Sequence, residues 1–332
     1  MKLAALAVIL ACTPALAAPR WLAGDVHMHC APPDDPADVE LDAAQIAAAA
    51  RAAHMDFVVL TPHAWPSQWG RGYRKRWRSF AADARAEPGV TLIPGIEWST
   101  SGGHFTVAGV AIDALPDRDL LAAAHAAGAF ISVNHPFAVP TNIPGVGASH
   151  FDMSYRVWTD GARGFTAIDG VEVFNLPLAL ANLIRRPGGM TGEQRAWLAA
   201  DRIVHAEHRK VTAVGGTDNH HRVVTATTWV LADDTSERAI LDALRAGRTC
   251  IGGPEAGSFR ARGDDGAWVG IGGTVRAAHD LALAWDGTAR LYVDGKDAGE
   301  HAGGATVPAG GALHTYRIER GDSRCGFIYA NL

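Results

Sequence analysis

Short apolar runs alternate with longer helical patterns along roughly the first 250 residues, and most of the apolar runs end in polar residues. Residues 56–60, 90–93, 95–98, 104–112, 129–133, 168–173, 211–214 and 227–231 are rich in β-branched and other apolar side chains, the pattern of buried strands. Between them, residues 39–54, 73–86, 117–127, 178–185, 193–208 and 237–246 place apolar positions at helical spacing. Strands that alternate with helices predict an α/β fold with a parallel sheet and right-handed crossovers. This many repeats predict closure into a TIM-like barrel.

Past about Gly253 the pattern changes. Helical periodicity stops, glycine becomes frequent, and short strand-like runs at 281–285, 289–293, 314–318 and 327–330 predict a small antiparallel β module. Asp294-Gly295 is the expected hairpin turn. The expected organisation is therefore a leader over 1–17, a barrel over 18–252 and a β-rich accessory module over 253–332.

The leader reading rests on Lys2, the apolar run from Leu3 to Ala11, and the small-x-small site Ala15-Leu16-Ala17. Cleavage after Ala17 sends the protein to the periplasm or outside the cell; a lipoprotein at Cys12 is the second reading. The apolar run is too short for a membrane span. The formal net charge of −5 gives no basic field, which argues against broad nucleic-acid binding. Beyond the leader three cysteines remain, Cys30, Cys250 and Cys325. Cys250 and Cys325 stand equally as a disulfide or as two buried thiols.

The polar strand ends carry the chemistry. Gly24-Asp25-Val26-His27-Met28-His29 opens the series, and residues two apart on a strand share a face, so His27 and His29 project together. Later strand ends supply His63, Glu97, His135, Asp218 and His220, with His104 just after the Glu97 strand. Imidazoles with carboxylates suit zinc, manganese or iron, and buried polar groups at successive strand ends need a shared partner. There is no G-x-S-x-G elbow and no phosphate-binding glycine loop, which argues against serine-hydrolase and nucleotide-driven chemistry.

Asp25-Val-His27-Met-His29, Leu60-Thr-Pro-His63, Gly95-Ile-Glu97, Asn134-His135-Pro136 and Gly216-Thr-Asp218-Asn-His220 together resemble the polymerase-and-histidinol-phosphatase (PHP) metallohydrolases over about residues 21–250. Trp21 before the opening motif, the leader and the β tail look most like the exported CehA/McbA-type branch. The resemblance implies a distorted (β/α)7 barrel with two to three divalent ions at its rim. It implies a first metal on His27, His29, Glu97 and Asp218, and a second on Glu97, His104 and His135. A third would sit on His63, His220 and either Asp34 or Asp35. A metal-bound hydroxide held by Glu97 and Asp218 would be the nucleophile. Pro62 stands where the family usually has Asp, and Cys30 where Ser or Thr is usual.

Weaker candidates surround this set. Arg222 and Arg71 are candidate contacts for an anionic substrate, although the basic run 71–78 also reads as a solvated helix face. Trp65, Trp69 and Trp98 are candidate walls of an aromatic pocket or core anchors. Glu172 and Asn175 end a strand and rank low as ligands; His150 and His221 are distant candidates for a general acid. The expected activity is hydrolysis of a small-molecule phosphoester. Carbamate, ester or amide hydrolysis is the alternative, and a non-catalytic metal- or carbohydrate-binding protein is a third.

Overall fold

The computed structural model describes residues 18–100, 102–137, 141–143, 147–149, 168–185 and 190–332. The expected leader, with Cys12, and His150 lie outside the described residues. The fold is mixed α/β, with one large sheet and few helices.

Strand β1 (Arg20–Met28) pairs in parallel with β2 (Phe57–Leu60), and α1 (Ala43–Ala52) connects them. Asp42 starts that helix: its carboxylate accepts the Gln45 N–H while the Gln45 side chain accepts the Asp42 N–H. Ala43, Ile46, Ala47 and Ala50 form its buried stripe, at the spacing that one helix face requires. Strand β3 (His63–Ala64) and helix α2 (Arg71–Ala86) follow, the helix burying Tyr73, Trp77, Phe80 and Ala84. Strand β4 (Thr91–Thr100) then runs parallel to both β2 and β3.

Strand β5 (Gly103–Ala108), helix α3 (Leu120–Ala126) and strand β6 (Phe130–Val133) come next. Here the expectation of a parallel sheet is corrected: β5 runs antiparallel to β4 and to β6. Only two residues link β4 to β5, and so short a link can join only antiparallel neighbours. After the small hairpin of β7 (Thr141–Ile143) and β8 (Gly147–Ser149), strand β9 (Gly170–Asn175) returns parallel to β6. Helices α4 (Leu176–Arg185) and α5 (Gly192–Glu207) lead to β10 (Thr212–Gly216), parallel to β9. Strand β11 (Thr228–Ala232) pairs antiparallel with β1, and after α6 (Glu237–Arg245) β12 (Thr249–Ile251) pairs antiparallel with β11.

The succession of pairings brings the two ends of this sheet region together. The Asp218 N–H, just past β10, donates to the His27 carbonyl at 2.8 Å, and the His29 N–H donates to the Asn219 carbonyl at 3.1 Å. The segments bearing His27 and His29, and Asp218 and His220, therefore meet.

The C-terminal region is all β: β13 (Arg260–Arg262), β14 (Trp268–Gly270), β15 (Thr274–Val275), β16 (Asp280–Val293), β17 (Lys296–Pro308), β18 (His314–Arg320), β19 (Ser323–Cys325) and β20 (Ile328–Ala330). Asp294 (φ 50°) and Gly295 (φ 71°) turn β16 into β17, as a two-residue hairpin with both central φ positive requires. Phe259, Leu281, Trp285, Tyr316 and Ile328 fill a core here, and Trp21 and Trp229 pack against it. The region joins the rest through β12 and β19, where Cys250 faces Cys325 and the two form a disulfide. The Tyr329 hydroxyl adds a bond to the Val211 carbonyl at 2.9 Å. Among the described residues no helix is long and apolar enough to cross a membrane.

Candidate metal centre

His27 and His29 end β1 with both rings fully buried, and their centroids lie 5.3 Å apart. Across from them stands Glu97, in the middle of β4. One of its oxygens, Oε1, lies 3.2 Å from His27 Nε2, 3.0 Å from His104 Nδ1 and 3.2 Å from His135 Nε2, and accepts from Asn134 Nδ2 at 2.9 Å. Its other oxygen faces His29 Nε2 at 3.6 Å and His63 Nε2 at 3.5 Å. A single carboxylate thus faces five imidazoles carried on or beside four strands, β1, β3, β5 and β6.

Asp218 completes the inner ring, with Oδ1 at 3.3 Å from His27 Nε2 and 3.2 Å from His29 Nε2. His220 stacks on His29 with centroids 4.0 Å apart, and the His63 ring lies 4.2 Å from the same His29. Two of these residues sit in the left-handed region that side chains other than glycine enter at a cost of about 1–3 kcal/mol: His135 (φ 28°) and Asp218 (φ 47°). Both follow a strand end, where the turn aims the side chain back into the cluster.

Backbone and outer side chains hold this geometry. Asp25, two residues before His27, accepts from the His27 N–H at 3.0 Å and from the Thr217 N–H and hydroxyl, so it ties β1 to the Asp218 segment. Burial pushes its carboxyl up to about 6. Gly216 leaves room for His27: a Cβ there would fall 2.3 Å from the His27 Cβ and 2.4 Å from Glu172 Oε1. Glu172 itself lies 3.0 Å from His27 Nδ1 and accepts the His135 N–H at 2.5 Å. Asn175 donates to Asp218 at 3.2 Å.

Of the two aspartates expected near the third position, Asp34 is at the site and Asp35 is exposed, accepting from the Ala37 N–H. Asp34 Oδ2 lies 3.1 Å from His29 Nδ1, while Oδ1 lies 3.2 Å from His63 Nδ1 and accepts the His63 N–H at 2.8 Å. The acid thus stands behind two rings and orients them. The donors that converge as a third group are His29, His63 and His220. His29 thus belongs to this group, and Asp34 stays within hydrogen-bond reach of two of its rings.

Burial opposes charge on every member, and the partners decide the outcome. Burial pulls the His29 imidazole down, but Asp218 and Asp34 outweigh it and hold it at about 9; His27 is raised in the same way by Asp218, Glu172 and Glu97. Burial and the nearby His29 push His220 down to about 4. Asp218 and Glu97 stay well below the usual carboxylate range, because the surrounding imidazoles outweigh their burial.

The donor set fits divalent cations. His27, Glu97 and His135, then His27, His29 and Asp218, then His29, His63 and His220 each bring their ligand atoms within 4.8 Å of one another. His104 Nε2 and His135 Nδ1 are buried without a hydrogen-bond partner among the described residues. Nitrogen and carboxylate oxygen in such groups match zinc, manganese or iron.

Other expected residues fall outside the cluster. Arg222 is exposed and bonds Glu40 at 2.8 Å, and His221 pairs with Glu40 as well. Arg71 is exposed at the start of α2 and has no ion-pair partner among the described residues. Arg74, Arg78 and Arg85 of the same helix pair with Asp117, Asp113 and Glu237. Trp69 and Trp98 are buried against each other as core. Trp65 alone of the three reaches the site, its ring nearly parallel to His63 (9°) at 5.9 Å and edge-on to His104 at 5.4 Å. Cys30 is a free, buried thiol that burial pushes upward. Glu172 is not among the converging donors but stands behind His27, a role the sequence reading did not assign to it. The signal was there: it is the lone charge inside the apolar run Gly170-Val-Glu-Val-Phe.

No family model matches the chain, and no curated protein matches it. Among solved structures it is similar to a two-domain protein from Bacteroides vulgatus containing a predicted PHP-like metal-dependent phosphoesterase, at 18% identity over 93% of each chain and a TM-score of 0.47. It is also similar to an amidohydrolase from Chromobacterium violaceum with bound sulfate and no metal, at 16% identity over 60% of this chain and 87% of that one, TM-score 0.36.

Proposed function

We propose that this chain is an exported metal-dependent hydrolase of the PHP type, most like the CehA/McbA branch, and that it cleaves small phosphoesters. The observation that carries the reading is Glu97, whose two oxygens reach His27, His104 and His135 on one side and His29 and His63 on the other. The sequence motifs support the same reading, and the meeting of β1 with the segment after β10 supports a distorted seven-stranded barrel over 18–252, with 253–332 as accessory module. The disulfide supports export, since such bonds persist in oxidising compartments.

His27, His29, Glu97, Asp218, His135, His104, His63 and His220 would hold two to three zinc, manganese or iron ions. Such ions acidify water and offset negative charge on a phosphoryl or carbonyl oxygen. Glu172 and Asp34 keep the Nδ1 atoms of His27, His29 and His63 engaged, which leaves the Nε2 atoms directed inward. Trp65 stands as a wall beside His63 and His104.

Trp65 also favours a second reading, hydrolysis of an aryl carbamate, ester or amide, because its ring offers a stacking surface for an aromatic leaving group. The test is turnover of nitrophenyl phosphate, bis-nitrophenyl phosphate and naphthyl carbamate by protein whose metal content has been measured. The expected result is phosphoester hydrolysis abolished by chelator and restored by zinc, manganese or iron. Activity on the carbamate alone establishes the second reading, and turnover indifferent to chelator ends both.

A further inference from the structure

One outward face of the C-terminal β region carries groups that neither the fold nor the metal centre uses. In β16 the odd-numbered Leu281, Leu283 and Trp285 are buried, so Asp280, Ala282, Ala284 and Asp286 point outward. On β13, Arg262 lies opposite Ala282 and Arg260 opposite Ala284. On the far side of β16, Thr306 and Gly304 of β17 take the matching positions. Trp268 of β14 sits across from Arg262. The middle of this four-stranded face is a flat floor of small residues.

Trp268 is 41% exposed, and both guanidiniums stand over its ring, Arg260 at 5.0 Å and Arg262 at 4.8 Å from the centroid. Neither arginine has a carboxylate partner among the described residues. The indole attracts both guanidiniums, but no carboxylate among the described residues neutralises them, so both positive charges remain free to meet an anion. Among the described residues β14 has register pairing with β13 alone, so no other described strand is registered beside Trp268 on its far side. Asp280 and Asp286, at the two ends of the floor, likewise have carboxylates without a hydrogen-bond partner among the described residues.

We propose that this face binds an acidic polysaccharide, a chain of pyranose rings bearing carboxylates. A sugar ring presents an apolar C–H face to Trp268, its carboxylates match the planar forks of Arg260 and Arg262, and its hydroxyls donate to Asp280 and Asp286. The aspartates choose between polyanions: a nucleic-acid backbone would bring phosphates toward them with few donors to offer. A single aromatic also falls short of the successive stacking platforms that single strands use.

The experiment is calorimetric titration of the full chain with a galacturonic-acid oligomer, beside a neutral glucan oligomer, single-stranded DNA and anionic phospholipid vesicles. The uronate oligomer is expected to bind, with affinity falling as salt rises, and the glucan to bind at least tenfold more weakly, about the worth of the charge-assisted contacts. Trp268→Ala and the pair Arg260→Ala, Arg262→Ala should each weaken the uronate about tenfold or more. Thr306→Glu, on the exposed edge strand, should also weaken it while the melting temperature stays unchanged, which separates lost binding from lost folding. No uronate binding, binding indifferent to these substitutions, or tighter binding of DNA or vesicles through the same residues overturns the proposal. Hydrolysis at the metal centre is expected to be unchanged in all these variants, so the outcome is independent of the enzyme reading.

Discussion

The imidazole of His27 is held from both sides: Glu172 Oε1 lies 3.0 Å from its Nδ1, and Glu97 Oε1 lies 3.2 Å from its Nε2. The two carboxylates have different tasks. Glu97 faces the shared interior of the cluster, whereas Glu172 stands behind the ring and also takes the backbone N–H of His135. Replacing Glu172 with Gln keeps the shape and removes the charge. Metal affinity, measured by competition with a chromophoric chelator, is expected to fall about 10–100-fold, the range for groups that orient a ligand. Unchanged affinity would show that Glu172 is structural only.

Gly216 is a sharper test of packing at the same place. Gly216→Ala puts a methyl group within 2.4 Å of Glu172 Oε1 and closer still to the His27 Cβ. Either His27 or β10 must move, so metal retention should be lost. Denaturant unfolding should show a loss of about 1–3 kcal/mol, as for overpacked interiors. Full metal content with wild-type stability would mean that the approach of β10 to β1 is looser than the structure shows.

The Cys250–Cys325 bond closes a loop of 75 residues between β12 and β19. Substituting both cysteines with Ala is expected to cost about 2–4 kcal/mol, chiefly by releasing the unfolded chain. Thermal unfolding with and without reductant checks this: reductant should lower the wild-type melting temperature and leave the double variant unmoved.

Asp201 of α5 supplies a pH prediction away from the metal centre. It is buried against β18, where the Thr315 hydroxyl donates to it, and burial raises its carboxyl above the usual 3.8. A carboxyl raised in the folded state binds more protons folded than unfolded. Its contribution is therefore complete at low pH and is lost as pH climbs from about 4 through the raised value. Asp201→Asn keeps an acceptor for Thr315 and has no charge to desolvate. Its melting temperature should exceed that of the wild type at pH 7 and match it more closely near pH 4.

Much of the site was legible as polar residues that interrupt or end apolar runs. His27, Glu97, His135 and Asp218 cost too much in a core unless they share a partner, and their spacing at strand ends anticipates one site. The direction of β5 was less legible, because a short apolar run reads the same in parallel and antiparallel sheets; the two-residue link after Thr100 carried that information. That the Arg222 guanidinium bonds Glu40, far away in the chain, was not legible either.

The chain's composition and order alone determined which donors exist and that they lie in or beside strands, since periodicity and the cost of burying charge act along the local sequence. Tertiary structure decided which atom faces which. Glu172 meets His27 across 145 residues, and Asp34 rather than Asp35 turns inward to hold two rings. Such pairings depend on how separated segments converge to a few tenths of an ångström, and local periodicity carries no information at that range.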